Sequence, residues 1–236
     1  MIKSSKRFFT IAALTLASAA TSAQISEVKL PVPNELILCE DDDPVVSAEK
    51  RVAPSVGAEY LACFTTNEKT ALHGTSRTVV VPVEHAVAMS VTGGPYTRED
   101  LDRLLSKVRE QWKNFDPLSR QHEDYLTRLN SLIKGRSPAA HQTSIESVKP
   151  VLVSIDRMDD QSYAVVSIRE YVIATDGERV RSIKANAAAM VLQGTRLVRL
   201  EIIRELHAPS DVDEVRTQIA AWSRAVAVDT AKSTRP

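Results

Sequence analysis

The chain has 236 residues, with 30 basic and 30 acidic side chains and a formal net charge of zero. Hydrophobic residues make up 43% and charged residues 25%, enough apolar mass for a packed core, which excludes a wholly disordered chain. Only 7 glycines exclude a collagen-like fibre. The balanced charge argues against nucleic acid as a partner, since such binders concentrate Lys and Arg.

Residues 1–23 read as a secretory signal peptide. Lys3, Lys6 and Arg7 form a positive start, an apolar run follows from Phe8 to Ala20, and Thr21-Ser22-Ala23 places small residues at a cleavage point before Gln24. The run is shorter than the roughly 20 apolar residues a membrane span needs. Beyond it no segment reaches that length, because the apolar stretch from Ala185 to Leu192 contains Asn186 and is flanked by Lys184 and Gln193. No transmembrane segment is therefore expected after cleavage. The mature chain would carry 27 basic against 30 acidic groups, the leader having held three of the basic ones. The expected address is periplasmic or secreted, in a Gram-negative bacterium.

Cys39 and Cys63 are the only cysteines. In an oxidising compartment a disulfide is their default state. Closing a loop of about 25 residues is worth roughly 3–4 kcal/mol in the chain-entropy model.

In chain order, residues 24–58 read as an extended arm with Pro31 and Pro33, a short strand at Leu36-Ile37-Leu38-Cys39, and a loop from Pro44 onward. Glu40-Asp41-Asp42-Asp43-Pro44 stops the strand, since Asp and Pro disfavour strand interiors. Residues 59–228 form the rest of one domain. A second strand covers 60–66, a polar turn 67–77, and a third strand 78–90, where Pro82 implies an edge or a bulge. A helix begins after Gly93-Gly94-Pro95, with Thr97 as N-cap and Asp100 three residues on. Leu101, Leu104, Leu105, Val108 and Trp112 give it one apolar stripe. A second helical pattern runs over 119–134, with Tyr125, Leu126, Leu129, Leu132 and Ile133 inward, and 136–147 reads as a connection.

A four-stranded meander follows. Residues 148–157 form one strand, with Val151, Val153 and Ile155 alternating, and strands at 162–174, 179–192 and 196–206 are separated by turns at 159–161, Asp176-Gly177 and Gln193-Gly194. Arg179, Arg181 and Lys184 are expected to face water. After Pro209 a last helix starts at Ser210, with Val212, Val215, Ile219 and Trp222 on one face. The tail, 229–236, is expected to fray. The fold class is therefore α+β: a single domain with an antiparallel meander flanked by helices, and short N-terminal strands tied by the disulfide.

This order resembles the PsbP-like fold, through the capped helix at 97–112, the hairpin run Ala189-Met190-Val191-Leu192-Gln193-Gly194-Thr195-Arg196-Leu197-Val198, and the closing helix near 212–222. The resemblance is one of architecture and implies no catalytic residue. It implies company with assembly factors, chaperone-like binders and interaction modules. An NTF2-like cone is the alternative.

No convergent chemistry is legible. The histidines, His73, His85, His122, His141 and His207, lack the i, i+2 or i, i+4 spacing of metal ligands. The run Glu40 to Asp43 lacks the glycine turn of a calcium loop. No Gly-x-Ser-x-Gly or P-loop occurs. No catalytic, cofactor-binding or metal residue is assigned, and no cofactor. The expected function is a non-catalytic envelope protein that binds another envelope protein, at the strand 78–90 or at an apolar patch on the arm at Leu30 to Pro33. The alternatives are a small-molecule or lipid carrier, and a secreted hydrolase whose groups meet only in space. An exposed apolar patch favours the first, a deep dry cavity the second, and two titratable groups facing one pocket the third.

Overall fold

The structure, a computed structural model, describes residues 30–74, 78–115, 123, 126, 127, 130, 143–175 and 178–233. Among the described residues, nine strands and three full helices follow in order: β1 (Ile37–Leu38), α1 (Pro44–Ser55), β2 (Ala58–Thr65), β3 (Lys69–His73), β4 (Thr78–Pro82), β5 (Glu84–Val91), α2 (Arg98–Lys113), β6 (Thr143–Asp159), β7 (Ser162–Thr175), β8 (Glu178–Gln193), β9 (Arg196–Glu205) and α3 (Ser210–Ser233). Seven strands make one antiparallel sheet in the order β1-β2-β5-β9-β8-β7-β6, and β3 and β4 form a separate hairpin. The expected α+β class and meander β6 to β9 are present.

Local chemistry explains the meander. Strands β8 and β9 are joined by two residues, Gly194 and Thr195, and Gly194 takes φ +62, where a Cβ would be strained. Asp159 pairs with Ser162 across an equally short turn. The Asp176-Gly177 turn lies outside the described residues, between the paired Thr175 and Glu178.

Helix α3 covers one face of the sheet. Val215, Ile219, Trp222 and Val226 are buried against Ala86, Ala88, Ala164, Ala185, Ala187, Ala189, Leu200 and Ile202. The alternating alanines of β8 keep this face low, so the helix can sit close to it. Trp222 meets Phe64 edge to face at 5.7 Å, and its indole N–H donates to the Pro31 carbonyl at 2.8 Å. Helices α1 and α2 lie on the other face. Leu101 and Leu105 of α2 pack on Tyr163, Leu192 and Leu197, while α1 brings Ala53 and Val45 to Val87 and Met89. The start of α2 follows its sequence: Thr97 Oγ1 accepts from the Asp100 N–H, and the Asp100 carboxylate accepts from the Thr97 N–H. Trp112, expected in the stripe, is half-buried and leans on Phe115.

Several expectations are corrected. The loop expected from Pro44 is helix α1: the Asp43 side chain accepts from the Val45 N–H at 2.7 Å, and Pro44 occupies the first turn, where no N–H is needed. The acidic run is thus a helix start. The polar turn at 67–77 contains β3, paired with β4. The strand at 78–90 is two strands. Pro82 ends β4, since it cannot donate to a ladder, and the chain crosses at Val83 into β5, an interior strand between β2 and β9. Strand β6 begins at Thr143, inside the expected connection, because its extension pairs with the far end of β7. Helix α3 continues to Ser233, past the start of the expected frayed tail, through helix-favouring Ala231 and Lys232. Of the pattern at 119–134, only Glu123, Leu126, Thr127 and Asn130 are described, and all four are helical. The expected signal peptide lies outside the described residues.

Cys39 and Cys63 are bridged, with Cα atoms 5.4 Å apart. The bond fastens the chain just after β1 to β2, where Cys39 N–H also donates to the Cys63 carbonyl at 2.9 Å. Among the described residues, no helix is long and apolar enough to cross a membrane.

Candidate functional site

Three places on this sheet concentrate polar or exposed chemistry. The first is a charged belt on the face that carries α1 and α2. Strand alternation brings Arg169 of β7, Lys184 and Asn186 of β8, and Arg199, Glu201 and Glu205 of β9 to one side. Lys184 therefore points into this belt, opposite in parity to the exposed Arg179 and Arg181, and not to water with them as expected. Glu201 is bridged by Arg199 at 2.6 Å and Arg169 at 3.7 Å, and accepts from Asn186 Nδ2 at 2.7 Å. Glu205 is held by Lys184 at 3.0 Å and by the Ser182 hydroxyl.

These surroundings set the protonation states. Burial alone would raise the Glu201 carboxyl, but Arg199, Arg169 and Asn186 outweigh it and hold it at about 2. Burial, then the nearby Lys184, push His85 down to about 4 against the pull of Glu201. Burial lifts the Tyr163 hydroxyl to about 12, with Arg199 opposing. At neutral pH the belt holds an ionised carboxylate and a neutral imidazole. A carboxylate with so low a proton affinity is a poor general base, which works best near the operating pH. The arrangement is that of an internal ion network.

The second place is the start of α3. Arg204 reaches Glu84 at 2.9 Å, Asp211 at 3.3 Å and Glu214 at 2.9 Å. Asp211 accepts the backbone N–H groups of His207 and Ala208, each at 2.7 Å. Burial would raise Asp211; those N–H groups and Arg204 lower it instead. This network locks the helix onto the sheet.

The third place is the β6 margin. Beside β7, β6 is the last strand of the sheet, and among the described residues no strand pairs with its outer side. Near its start, the Asn130 amide donates to the Ile145 carbonyl at 2.8 Å, and its carbonyl accepts the Ile145 N–H at 2.6 Å. Further along, Val151, Leu152 and Val153 are 60%, 37% and 42% exposed. Val151 and Val153 alternate along the sequence, and a bulge between Leu152 and Ser154 and the edge position leave them uncovered. The signal was legible in part, as three consecutive apolar residues after Pro150, a residue that belongs at an edge. Between β6 and α3 runs an open groove of about 430 Å³, lined by Asp156, Met158, Ala164, Arg216, Thr217, Ala220 and Arg224.

The surfaces expected from sequence are engaged in part. Strand β5 is interior, and β4 is paired with β3 on one side. On the arm, Leu30 packs on the core, Pro33 is buried and Pro31 accepts the Trp222 indole, leaving Val32 exposed. His73 hydrogen-bonds Thr78 on the hairpin, while His122 and His141 lie outside the described residues. Among the described residues, no group of three His, Cys, Asp or Glu could hold a metal ion. No protein-family model matches the chain, and no curated protein matches it either.

Proposed function

We propose that this protein is exported to the bacterial envelope, its mature chain beginning at Gln24, and that it works by binding an extended segment of another protein along β6. The observation that carries this reading is the outer side of β6: a backbone row that no strand among the described residues pairs with, beside Val151, Leu152 and Val153. Such a row offers main-chain hydrogen bonds to an added strand, and exposed apolar side chains supply the burial. The disulfide fits an oxidising compartment. A PsbP-like assignment belongs to the same reading, since that architecture includes assembly factors and interaction modules.

A photo-crosslinking residue placed at 151 or 153, with one at the exposed Arg109 of α2 as control, tests it in the native envelope. Adducts to one polypeptide at 151 and 153, absent at 109, are expected. Equal labelling at all three, or none with turnover in a broad hydrolase screen, would overturn it in favour of the enzyme reading.

A further inference from the structure

We infer that the groove between β6 and α3 is the part of this binding surface that selects its partner, and that it takes an acidic side chain of the bound segment at Arg224. The inference rests on the strand-binding reading above and gives it a chemistry.

Arg216, Thr217, Ala220 and Arg224 fall on one stripe of α3 and form one wall. Asp156 and Met158 of β6 form the other, with Ala164 of β7 between them. The small side chains of Ala164 and Ala220 leave the volume open. At about 430 Å³, the groove is of the size that holds a ligand's side chains.

Its two cations are not equivalent. Arg216 is committed: its Nε and Nη2 lie 3.1 Å and 3.0 Å from Asp156 Oδ2, which also accepts the Ser154 hydroxyl at 2.7 Å. Arg224 is exposed, and no carboxylate among the described residues pairs with it. Among the described residues, the groove therefore carries one positive charge without a paired carboxylate above an apolar floor. Guanidinium binds carboxylate through a two-pronged, charge-assisted pair, so the complementary group is Asp or Glu.

Distances fit an extended chain. Eight residues of helix separate Arg216 from Arg224, about 12 Å along the axis. That is the span of three to four extended residues. The same face of β6 continues from Asp156 back to exposed Val151. A partner strand would lay apolar residues against Val151 and Met158 and bring an acidic residue, a few positions away, to Arg224.

The test uses the oxidised, exported protein and a displayed library of random heptapeptides. Enriched peptides should combine Val, Ile or Leu with an Asp or Glu. A labelled winner should bind Arg224→Glu at least 10-fold more weakly by fluorescence anisotropy, and Arg224→Lys should retain most of the affinity. Arg109→Glu, a charge reversal on α2, should change nothing. Apolar peptides without acidic preference, indifferent to Arg224→Glu but lost with Val151→Lys, would overturn the groove inference and leave strand binding standing. Dodecanoate binding with the same Arg224 dependence, and no peptide enriched, would overturn both in favour of a carrier. No binding of peptide or dodecanoate would also overturn both.

Discussion

Replacing both cysteines, Cys39→Ala with Cys63→Ala, should lower the stability of the whole sheet and not only release β1. The bridge joins residues 24 apart in sequence. Removing that cross-link returns roughly 3.5 kcal/mol of loop entropy to the unfolded chain. Cys63 is fully buried, opposite Val87 in the β2–β5 ladder, so losing its sulfur adds about 1 kcal/mol of packing. A total near 4.5 kcal/mol would lower Tm by roughly 9–18 °C for a chain of this size. Urea unfolding followed by far-ultraviolet circular dichroism gives the free energy, and amide exchange gives its distribution. Because the entropy resides in the unfolded state, the amides of β5 and β9 should lose as much protection as those of β2. A loss under about 1 kcal/mol, or one confined to the β1 region, would refute this reasoning.

Acid should lower the stability of the protein in two steps. His85 titrates at about 4 in the fold, below its ordinary 6.5, so the unfolded chain takes up a proton first as pH falls. Stability that is complete above pH 6.5 is therefore lost down through pH 4, by about 2–3 kcal/mol, and His85→Gln should flatten that part of the urea-midpoint profile. Glu201, at about 2 in the fold against an ordinary 4.5, adds a second loss from pH 4.5 through 2, which Glu201→Gln should remove while lowering stability at neutral pH. Thr97→Ala removes the hydroxyl that caps α2 and should cost about 1 kcal/mol in the same assay. Trp222→Phe keeps the ring stack on Phe64 but deletes the bond to Pro31. It should cost about 1–2 kcal/mol and make the segment before β1 easier to cleave by protease, while core amides stay protected.

The sequence by itself determined whatever depends on neighbours in the chain. The capping box at Thr97 and Asp100, the two-residue turn at Gly194 and the apolar stripe through Val215, Ile219 and Trp222 each fix a conformation within a few residues, and all are present. The two cysteines were legible as a pair because no other thiol competes. Asp43 and Pro44 were read as a strand stop when the same two residues also begin a helix. Local chemistry permitted both, and the sheet face offered by Val87 and Met89 decided for the helix.

Only the tertiary structure decided which strands have neighbours. Strand β5 pairs with β9, so Glu84 meets Arg204 from 120 residues away, and an expected edge becomes the interior of the sheet. Strand β6 becomes an edge by the same pairing order, and Val151 and Val153, alternating like core residues, are left in solvent. The groove needs residues from β6, β7 and α3 together, and Arg216 and Arg224 look like any solvated helix face until Asp156 claims one of them. Periodicity fixes which side chains share a face of a strand or helix. Whether that face is covered depends on elements distant in sequence, and no local pattern records it.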